Sequence, residues 1–402
     1  MARKLKRDLT VEEQLARGPL DLPFLMLVLM LTAIGVIMMF SASYADALYN
    51  MGDPTYYFLR QGVFAVAGVA IMLALSKVNY QTLRWFAVIA LWGSILLLIL
   101  VKVPGIGASG GGANRWIRAI GPLPRWQPSE AAKLGVILYF SARLSKRNTE
   151  KKRKFNRRTY TGRFLEWLDG IGFLELVPYI AALGIILFLL FLQPHLSAMI
   201  LILAIAASIL FAAGIKLRWF GLGALMMAAG MWIISQSGSY MADRIAIWQD
   251  PWSDIQGEGY QIIQSLYAIG SGGLLGLGIG NSRQKFLYLP ELQNDYVFPI
   301  VCEELGFIGA SMILLLFALL IIRGYWLALH ARDRFGALLI VGITTQVAVQ
   351  VFLNVGVVTN LLPPTGISLP FFSYGGTALV IQLVEMGIVL SVSRQIPAPR
   401  AG

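Results

Sequence analysis

The sequence predicts an all-α, polytopic membrane protein with about ten transmembrane helices. Two observations lead to this fold class. Hydrophobic residues make up 57% of the 402-residue chain and charged residues only 13%, and the mean hydropathy is +0.68, whereas a soluble domain carries about 25% charged residues. The apolar runs are also long and continuous, which suits helical spans and not the alternating strands of an outer-membrane barrel.

Apolar runs of roughly 20 residues recur along the whole chain, and we interpret each as one span of a single membrane domain, residues 1–402. A charged leader, residues 1–19, precedes the first run, which lacks a small-residue cleavage pattern and is expected to be retained. The predicted spans cover residues 20–41, 58–76, 83–102, 127–144, 173–193, 195–213, 217–235, 298–322, 336–359 and 370–393.

The basic residues indicate the orientation of these spans. Most of the 33 Lys and Arg residues fall in segments that an even number of spans places on one side, together with both termini. By the positive-inside rule that side is cytoplasmic, in the plasma (inner) membrane. The most basic loop, 145–172, is interpreted as a topology signal that also contacts anionic lipid, with a specific partner site as the alternative. The net charge of +12 therefore requires no nucleic-acid partner.

Three loops are predicted on the outer side, at residues 103–126, 236–297 and 359–377. The second contains a stretch, 258–269, that is typical of a short amphipathic helix at the membrane interface. Prolines and glycines interrupt any helix in the third. Because irregular backbone at membrane depth must be enclosed by protein or line a cavity, we expect these loops to fold together around an outward-facing cavity.

Acidic residues cluster where the second outer loop meets an apolar helix. Asp295 immediately precedes that helix, where partial desolvation would suit a carboxylate to accept a proton; a helix N-cap is the alternative. Glu303 and Glu304 fall inside the predicted span, and ionisable groups there are costly and usually functional. A purely structural buried pair remains the alternative for these two glutamates.

Basic residues in the first outer loop oppose the positive-inside bias and need another explanation. Asn114, Arg115, Trp116 and Arg118 suit an anionic phosphate group, because arginine makes bidentate contacts with phosphate. An interfacial anchor built on the tryptophans is the alternative. In the fourth predicted span, Glu130 and Lys133 lie three residues apart, which favours an ion pair on one helix face.

Other parts of the sequence argue against a nucleotide-binding loop, a zinc site and a serine nucleophile. The glycine-rich run 270–281 lacks the Lys-Ser or Lys-Thr of a P-loop and a flanking strand, so we interpret it as closely packed backbone. Neither His195 nor His330 has neighbouring zinc ligands, and no serine nucleophile motif is present. We expect no organic cofactor.

Several motifs resemble one membrane protein family along most of the chain. They are FSAS (40–43), NRWI (114–117), QPSE (127–130), QP (193–194), QIIQSLYAIGSGGLLGLGIGNSRQKFLYLPE (261–291), DYVF (295–298), EELGFIG (303–309) and NVGVVTNLLPPTGISLPFFSYGG (354–376). The chain resembles the SEDS (shape, elongation, division and sporulation) family, and its SRQKF and LPE wording is closer to the FtsW and SpoVE branches than to RodA.

This resemblance implies a peptidoglycan glycosyltransferase that polymerises lipid II on the outer face of the membrane for division, sporulation or shape. Asp295 matches the family's essential aspartate, here within Asn294-Asp295-Tyr296 in place of the usual Thr-Asp-Phe. A larger departure is His195, where the family commonly has Asp after Gln-Pro. The resemblance further implies lipid II and undecaprenyl-pyrophosphate-linked glycan as ligands, and a class B penicillin-binding protein and other divisome or elongasome proteins as partners.

We expect Asp295 to act as the general base. Side chains expected to contact the substrate are polar and lie in or beside the outer loops: Asn114, Arg115, Arg244, Gln264, Arg283, Lys285 and Ser373. Side chains expected to organise the cavity are Glu130, Lys133, Glu303 and Glu304. No metal ligand set is assigned, and Mg²⁺ or Mn²⁺ at the leaving pyrophosphate is a hypothesis. The alternatives to an enzyme are a lipid II flippase and a non-catalytic scaffold for a transpeptidase.

Overall fold

A computed structural model describes residues 18–110, 113–118, 125–147, 160–235, 240–257, 259–286, 288–290 and 292–396. Nearly all regular structure in these residues is helical, which confirms the predicted fold class. The first half contains α1 (Leu22–Asp46), α2 (Tyr56–Leu75), α3 (Leu83–Leu100), a hairpin of β1 (Gly107–Gly110) and β2 (Ala113–Ile117), α4 (Pro128–Ser145), α5 (Tyr160–Ile171), α6 (Phe173–Phe191) and α7 (Leu196–Ala212). The second half contains α8 (Arg218–Ser235), α9 (Tyr240–Gln249), α10 (Gly259–Ser271), α11 (Val297–His330), α12 (Arg334–Val358) and α13 (Gly376–Ser393).

A helix lies at each of the ten predicted spans. Seven helical segments in the described part of the chain are long and apolar enough to cross a membrane: Leu22–Met51, Tyr56–Leu75, Tyr80–Leu100, Phe173–Phe191, Val297–His330, Arg334–Val358 and Gly376–Ser393. The other three predicted spans correspond to α4, α7 and α8. The protein is therefore a multi-pass membrane protein.

The helices at the centre of the bundle are α12 and α13. In their most apolar windows, 67% of α12 and 72% of α13 is buried inside the protein, against 39% or less for the other five long spans. Small residues bring their neighbours close: a Cβ at Gly387 of α13 would lie 2.8 Å from the backbone oxygen of Met72 in α2. Such close backbone contact is how membrane helices gain dispersion energy without a hydrophobic driving force.

Several boundaries differ from the sequence prediction. The α11 helix extends to His330, well beyond residue 322, and α13 begins at Gly376, after a nonhelical segment that the prediction had partly assigned to the span. Two helices, α5 and α9, and the hairpin lie in segments predicted as loops. The short amphipathic helix predicted at 258–269 is confirmed as α10, Gly259–Ser271. The basic run 151–158 lies outside the described residues.

The α11 helix is interrupted at Gly306, whose φ of 68° and ψ of −173° are not helical. The glycine-rich loop after α10 packs against this break. Its backbone supplies partners there: Leu277 N donates to the Glu303 carbonyl at 2.9 Å, and Phe307 N donates to the Gly273 carbonyl at 2.9 Å. The close packing predicted for the glycine run is thus confirmed, and it compensates backbone groups that the broken helix would leave unpaired.

Three segments meet at one end of the bundle, which we call the loop face: the hairpin, residues 240–296 and residues 359–375. Arg244 Nη1 donates to the Pro364 carbonyl at 2.9 Å, and Trp248 Nε1 donates to the Asn360 carbonyl at 3.2 Å. Arg115 of β2 donates from Nη2 to the Pro194 carbonyl at 2.6 Å. The predicted loops therefore do fold together.

A buried aspartate joins helices at the opposite end of the bundle. Asp333 is fully buried, caps the N-terminus of α12 through Phe335 N and Gly336 N, and pairs with Arg84 at 3.0 Å. The Gln81 amide and the Tyr80 hydroxyl also donate to its carboxylate. One carboxylate thus connects α12 to the segment that begins α3.

We expect the substitution Asp333→Ala to lower the free energy of unfolding by about 3 kcal/mol, because it removes a buried carboxylate that pairs with Arg84, accepts hydrogen bonds from Tyr80 and Gln81, and caps a helix. The measurement is thermal unfolding in detergent. The control Asp53→Ala changes an exposed carboxylate between α1 and α2 and should leave the midpoint unchanged. Equal midpoints for wild type and Asp333→Ala would contradict this role.

Candidate active site

A cavity of about 370 Å³ opens between the loop face and the middle of the bundle. Its wall combines residues from the hairpin, α4, the start of α7, α9, α12, α13 and the segment 364–375. Among the predicted site residues, those that line it are Asp295, Arg115, Arg244, Ser373, Glu130 and Lys133. Residues more than 100 positions apart in sequence are therefore brought to one site.

Asp295 lies on the cavity wall, one residue before the N-cap of α11, which is Tyr296. The alternative that Asp295 is the N-cap residue is therefore wrong. Its backbone carbonyl accepts a hydrogen bond from Asn354 Nδ2 at 2.8 Å, and the same amide donates to the Ile367 carbonyl at 2.7 Å. Asn354 thus holds Asp295 and the loop before α13 at a fixed separation.

Gly366 leaves room for the Asp295 carboxylate. A Cβ at residue 366 would lie 3.1 Å from Asp295 Oδ2, and the residue has a φ of 65°, which disfavours other residue types. Glycine is therefore favoured at position 366, because it allows both the backbone conformation and the close approach of the carboxylate.

The pKa of the Tyr296 phenol depends on the charged groups around Asp295. Burial raises the pKa of its phenol, the negative charge of Asp295 raises it further, and Arg244 opposes this shift. The phenol consequently stays protonated at physiological pH. The carboxylate of Asp295 and the guanidinium of Arg244 both act on this one buried group.

Arg115 and Arg244 are two guanidinium groups of the cavity wall. Arg115 is oriented by the carbonyls of Gln193, at 3.4 Å, and of Pro194. Arg244 is oriented by the carbonyl of Pro364. Carbonyl acceptors fix a guanidinium without carrying a net charge of their own, and arginine is the residue best suited to bidentate phosphate binding.

Deeper in the cavity, Glu130 and Lys133 form the ion pair that their spacing predicted, with 2.7 Å between Nζ and Oε2. The Lys133 side chain is almost completely buried. His195, which precedes α7, contacts Gln127 through Nε2 at 3.3 Å. Burial lowers the pKa of His195 to about 3, and the charges of Arg115 and Lys133 add to the shift. His195 is therefore neutral at physiological pH.

Glu385, which is not among the predicted site residues, lies in the middle of α13 and is completely buried. Its Oε2 accepts a hydrogen bond from Gln346 Nε2 at 2.8 Å, and Lys133 and Glu130 are the charged groups that act on it. A single acid within an apolar span was the signal that could have found it.

Four predicted site residues form a second cluster, away from the cavity wall. Glu304 accepts hydrogen bonds from Ser41 Oγ at 2.7 Å and from Lys285 Nζ at 3.3 Å. Glu303 accepts from Arg283 N at 3.0 Å. This placement differs from the expectation that they organise the cavity and bind phosphate. The carboxylates fasten the 280–285 loop to α11, Lys285 is buried against Glu304, and the Arg283 side chain is exposed.

Of the other three predicted site residues, only Ser373 lies on the cavity wall. Ser373 lines the cavity, and its hydroxyl accepts a hydrogen bond from Leu369 N at 2.7 Å, which shapes the loop. Gln264 of α10 is not part of the wall, whereas Gln261, one turn earlier, is. Asn114 lies in β2 beside Arg115. The described residues contain no group of three or more His, Cys, Asp or Glu side chains that could hold a metal ion.

Comparison with known proteins decides the family. The model of the FTSW_RODA_SPOVE family, described as cell cycle proteins, matches residues 22–397. The chain belongs to the FtsW/RodA/SpoVE family. A family member from Geobacter metallireducens, named probable peptidoglycan glycosyltransferase FtsW, is 39% identical over 377 residues, which cover 94% of this chain and 95% of the relative. Stage V sporulation protein E of Bacillus subtilis is 40% identical over 377 residues, which cover 93% and 97%.

Solved structures share the fold of this FtsW/RodA/SpoVE protein. A chain in the structure of a peptidoglycan synthase complex that coordinates polymerization and crosslinking matches with a TM-score of 0.72 and 29% identity, covering 94% of this chain and 98% of that one. Rod shape determining protein RodA of Thermus thermophilus matches with a TM-score of 0.65 and 26% identity, covering 94% and 98%. The predicted resemblance is thereby confirmed.

The depressed pKa of His195 predicts a pH-dependent stability. Between about pH 6.5 and 3 the unfolded chain binds a proton that the folded protein excludes, so stability is lost as pH falls below about 6.5. From pH 7 to pH 5 we expect wild type to lose about 2 kcal/mol more than His195→Gln. Thermal unfolding at both pH values measures this, and His330→Gln, at an exposed histidine, is the control. Parallel pH curves for wild type and His195→Gln would contradict the assignment.

Proposed function

We propose that this protein is a peptidoglycan glycosyltransferase that polymerises lipid II into glycan strands. One observation carries the proposal: in a chain 39% identical to a probable peptidoglycan glycosyltransferase, Asp295 and two arginines line the same cavity. A carboxylate supplies a general base, and the arginines supply positive charge for a phosphorylated leaving group.

The reaction joins two lipid-linked sugars. The 4-hydroxyl of the acceptor sugar attacks the anomeric carbon of the donor, a new C–O bond forms, and the bond from that carbon to undecaprenyl pyrophosphate breaks. Asp295 takes the hydroxyl proton. Gly366 and Asn354 support this role because they hold the carboxylate and its backbone at the cavity wall. Positioning of this kind lowers the barrier by removing the need to orient the base during reaction.

The leaving group carries away a pyrophosphate charge. Arg115 and Arg244 are the cavity-wall cations at the loop face, and we assign the pyrophosphate to them. Arg283 and Lys285 lie elsewhere, with Lys285 held by Glu304. A divalent cation fits this chemistry, because Mg²⁺ is commonly held by one or two carboxylates together with substrate phosphates. The cation would be held mainly by the pyrophosphate oxygens and would stabilise the departing pyrophosphate, while Asp295 takes the proton.

The loop face is proposed to lie on the outer side of the plasma membrane, with both termini cytoplasmic. The distribution of Lys and Arg supports this orientation. A class B penicillin-binding protein, a transpeptidase, is the proposed partner, supported by the similarity to a chain of a synthase complex that coordinates polymerization and crosslinking. Relatives named FtsW and stage V sporulation protein E support a role in division or sporulation, alongside other membrane proteins of the divisome or elongasome.

We expect Asp295→Asn to reduce glycan polymerisation at least about 100-fold, because the amide cannot accept the acceptor proton. Purified protein with its transpeptidase is given lipid II, and polymer is separated by gel electrophoresis. The control Asp53→Asn alters an exposed carboxylate outside the cavity wall and should retain wild-type activity. Equal polymer from Asp295→Asn and wild type would remove Asp295 from the mechanism. No polymer from wild type would favour the flippase or the scaffold.

We expect polymerisation to fall in the presence of a chelator and to return on addition of Mg²⁺ or Mn²⁺, because the leaving pyrophosphate gains charge during reaction. Initial rates in chelator, and after titration with each cation, measure the requirement. Undiminished activity in chelator would refute the metal hypothesis and leave Arg115 and Arg244 as the source of positive charge.

A further inference from the structure

Polar side chains of α12 extend from the depth of Asp295 into the middle of the helix bundle. The α12 helix places Asn354, Gln350 and Gln346 at intervals of four residues, on one face. Since Asn354 contacts the backbone of Asp295, Gln350 lies about 6 Å and Gln346 about 12 Å deeper along the helix axis. Both glutamines line the cavity. We call these two glutamines, together with Glu385, which lies behind the wall and accepts a hydrogen bond from Gln346, the cavity floor.

The cavity floor has acceptor oxygens that the protein does not satisfy. Among the described residues, no donor reaches Oε1 of Gln346, Oε1 of Gln350 or Oε1 of Glu385. All three side chains are at most 4% exposed. Because an unsatisfied buried acceptor is costly and rare in native proteins, a ligand or solvent that brings hydrogen-bond donors is required there.

The floor offers no excess positive charge to a phosphate group. Among the described residues that line the cavity at this level, Lys133 is the cation, and the carboxylate of Glu130 lies 2.7 Å from its ammonium. A phosphate oxygen would therefore meet unsatisfied acceptor oxygens and a cation that is already paired, whereas hydroxyl and amide N–H groups would meet the acceptors they need. The two arginines nearer the loop face have the opposite preference.

We propose that the cavity floor is a saccharide subsite, which binds the hydroxyl and N-acetyl amide groups of the lipid-linked substrate while Arg115 and Arg244 hold its pyrophosphate. The inference rests on the proposed function and adds the direction in which the substrate lies. The sugars extend inward along the glutamine face of α12, and the pyrophosphate remains at the loop face beside Asp295. Glu385 acts as a positioning residue, because its Oε2 accepts a hydrogen bond from Gln346 Nε2 and so fixes the Gln346 side chain.

The test compares two ligands that differ in the sugars. Dissociation constants of lipid II and of undecaprenyl pyrophosphate are measured for wild type, Gln350→Met and Arg244→Gln in lipid nanodiscs. Methionine keeps the length of glutamine and removes its polar atoms. We expect Gln350→Met to weaken lipid II binding about tenfold and to leave undecaprenyl pyrophosphate binding unchanged, because only the sugar contacts are lost. Arg244→Gln should weaken both ligands.

The matched control is Thr344→Val, a shape-preserving change on another face of α12, where Thr344 packs against Gly324 and not against the cavity. It should bind both ligands as wild type does, and thermal unfolding verifies that every variant is folded. Unchanged lipid II binding in Gln350→Met, or equal loss of both ligands, would overturn the saccharide subsite and indicate that the floor holds only water. Polymerisation by wild type in the same preparation keeps that outcome separate from a failure of the proposed function.

Discussion

Backbone polar groups that enter a membrane bundle must find partners inside the protein, and the loop before α13 depends on this constraint. Residues 363–369 of this loop have no regular structure at the level of the cavity, and a short turn follows them. Side-chain amides from three helices supply partners that a helix would otherwise provide. Asn354 binds the Ile367 carbonyl, Gln61 binds the Ser373 carbonyl, and Gln382 accepts from Phe371 N. Three amides, each from a different helix, thus replace the regular ladder and fix the loop against which Asp295 lies.

Amide side chains on one face of α12 differ in what they contact. Asn354 uses both donors of its amide on backbone carbonyls and is committed to holding the loop. Gln350 and Gln346, on the same helix face, line the cavity, and no donor among the described residues reaches their Oε1 atoms. Two arginines and Asp295 lie near the loop face and the Glu130–Lys133 pair lies deeper, so the charged groups are graded along the length of the cavity. A graded cavity can orient a substrate that carries charge at one end only.

Long apolar runs made the spans predictable, because bilayer thickness sets helix length whatever the partner helix. Asp295 was predictable from its motif, and the Glu130 and Lys133 pair from local spacing. Contacts between helices that are distant in sequence were not predictable. Glu303 and Glu304 were correctly noticed as acids inside a span, yet only the packing of the 280–285 loop shows that they bind it and not the cavity. The roles of Asp333 and Glu385 were not predicted because their partners lie on other helices. Asp333 pairs with Arg84 of α3, and Glu385 accepts a hydrogen bond from Gln346 of α12.

The interruption at Gly306 divides α11 into a short element, residues 297–305, and a long element. The glycine-rich loop bonds to both elements: Leu277 N donates to the Glu303 carbonyl of the short element, and Phe307 N of the long element donates to the Gly273 carbonyl. The long element, from Phe307 to His330, carries much of the lipid-exposed surface of the helix. A tilt of the long element with bilayer thickness would therefore reach the short element, which follows Asp295, through this loop as well as along the interrupted helix. Bilayer thickness would in this way influence the shape of the cavity wall through a glycine-rich loop.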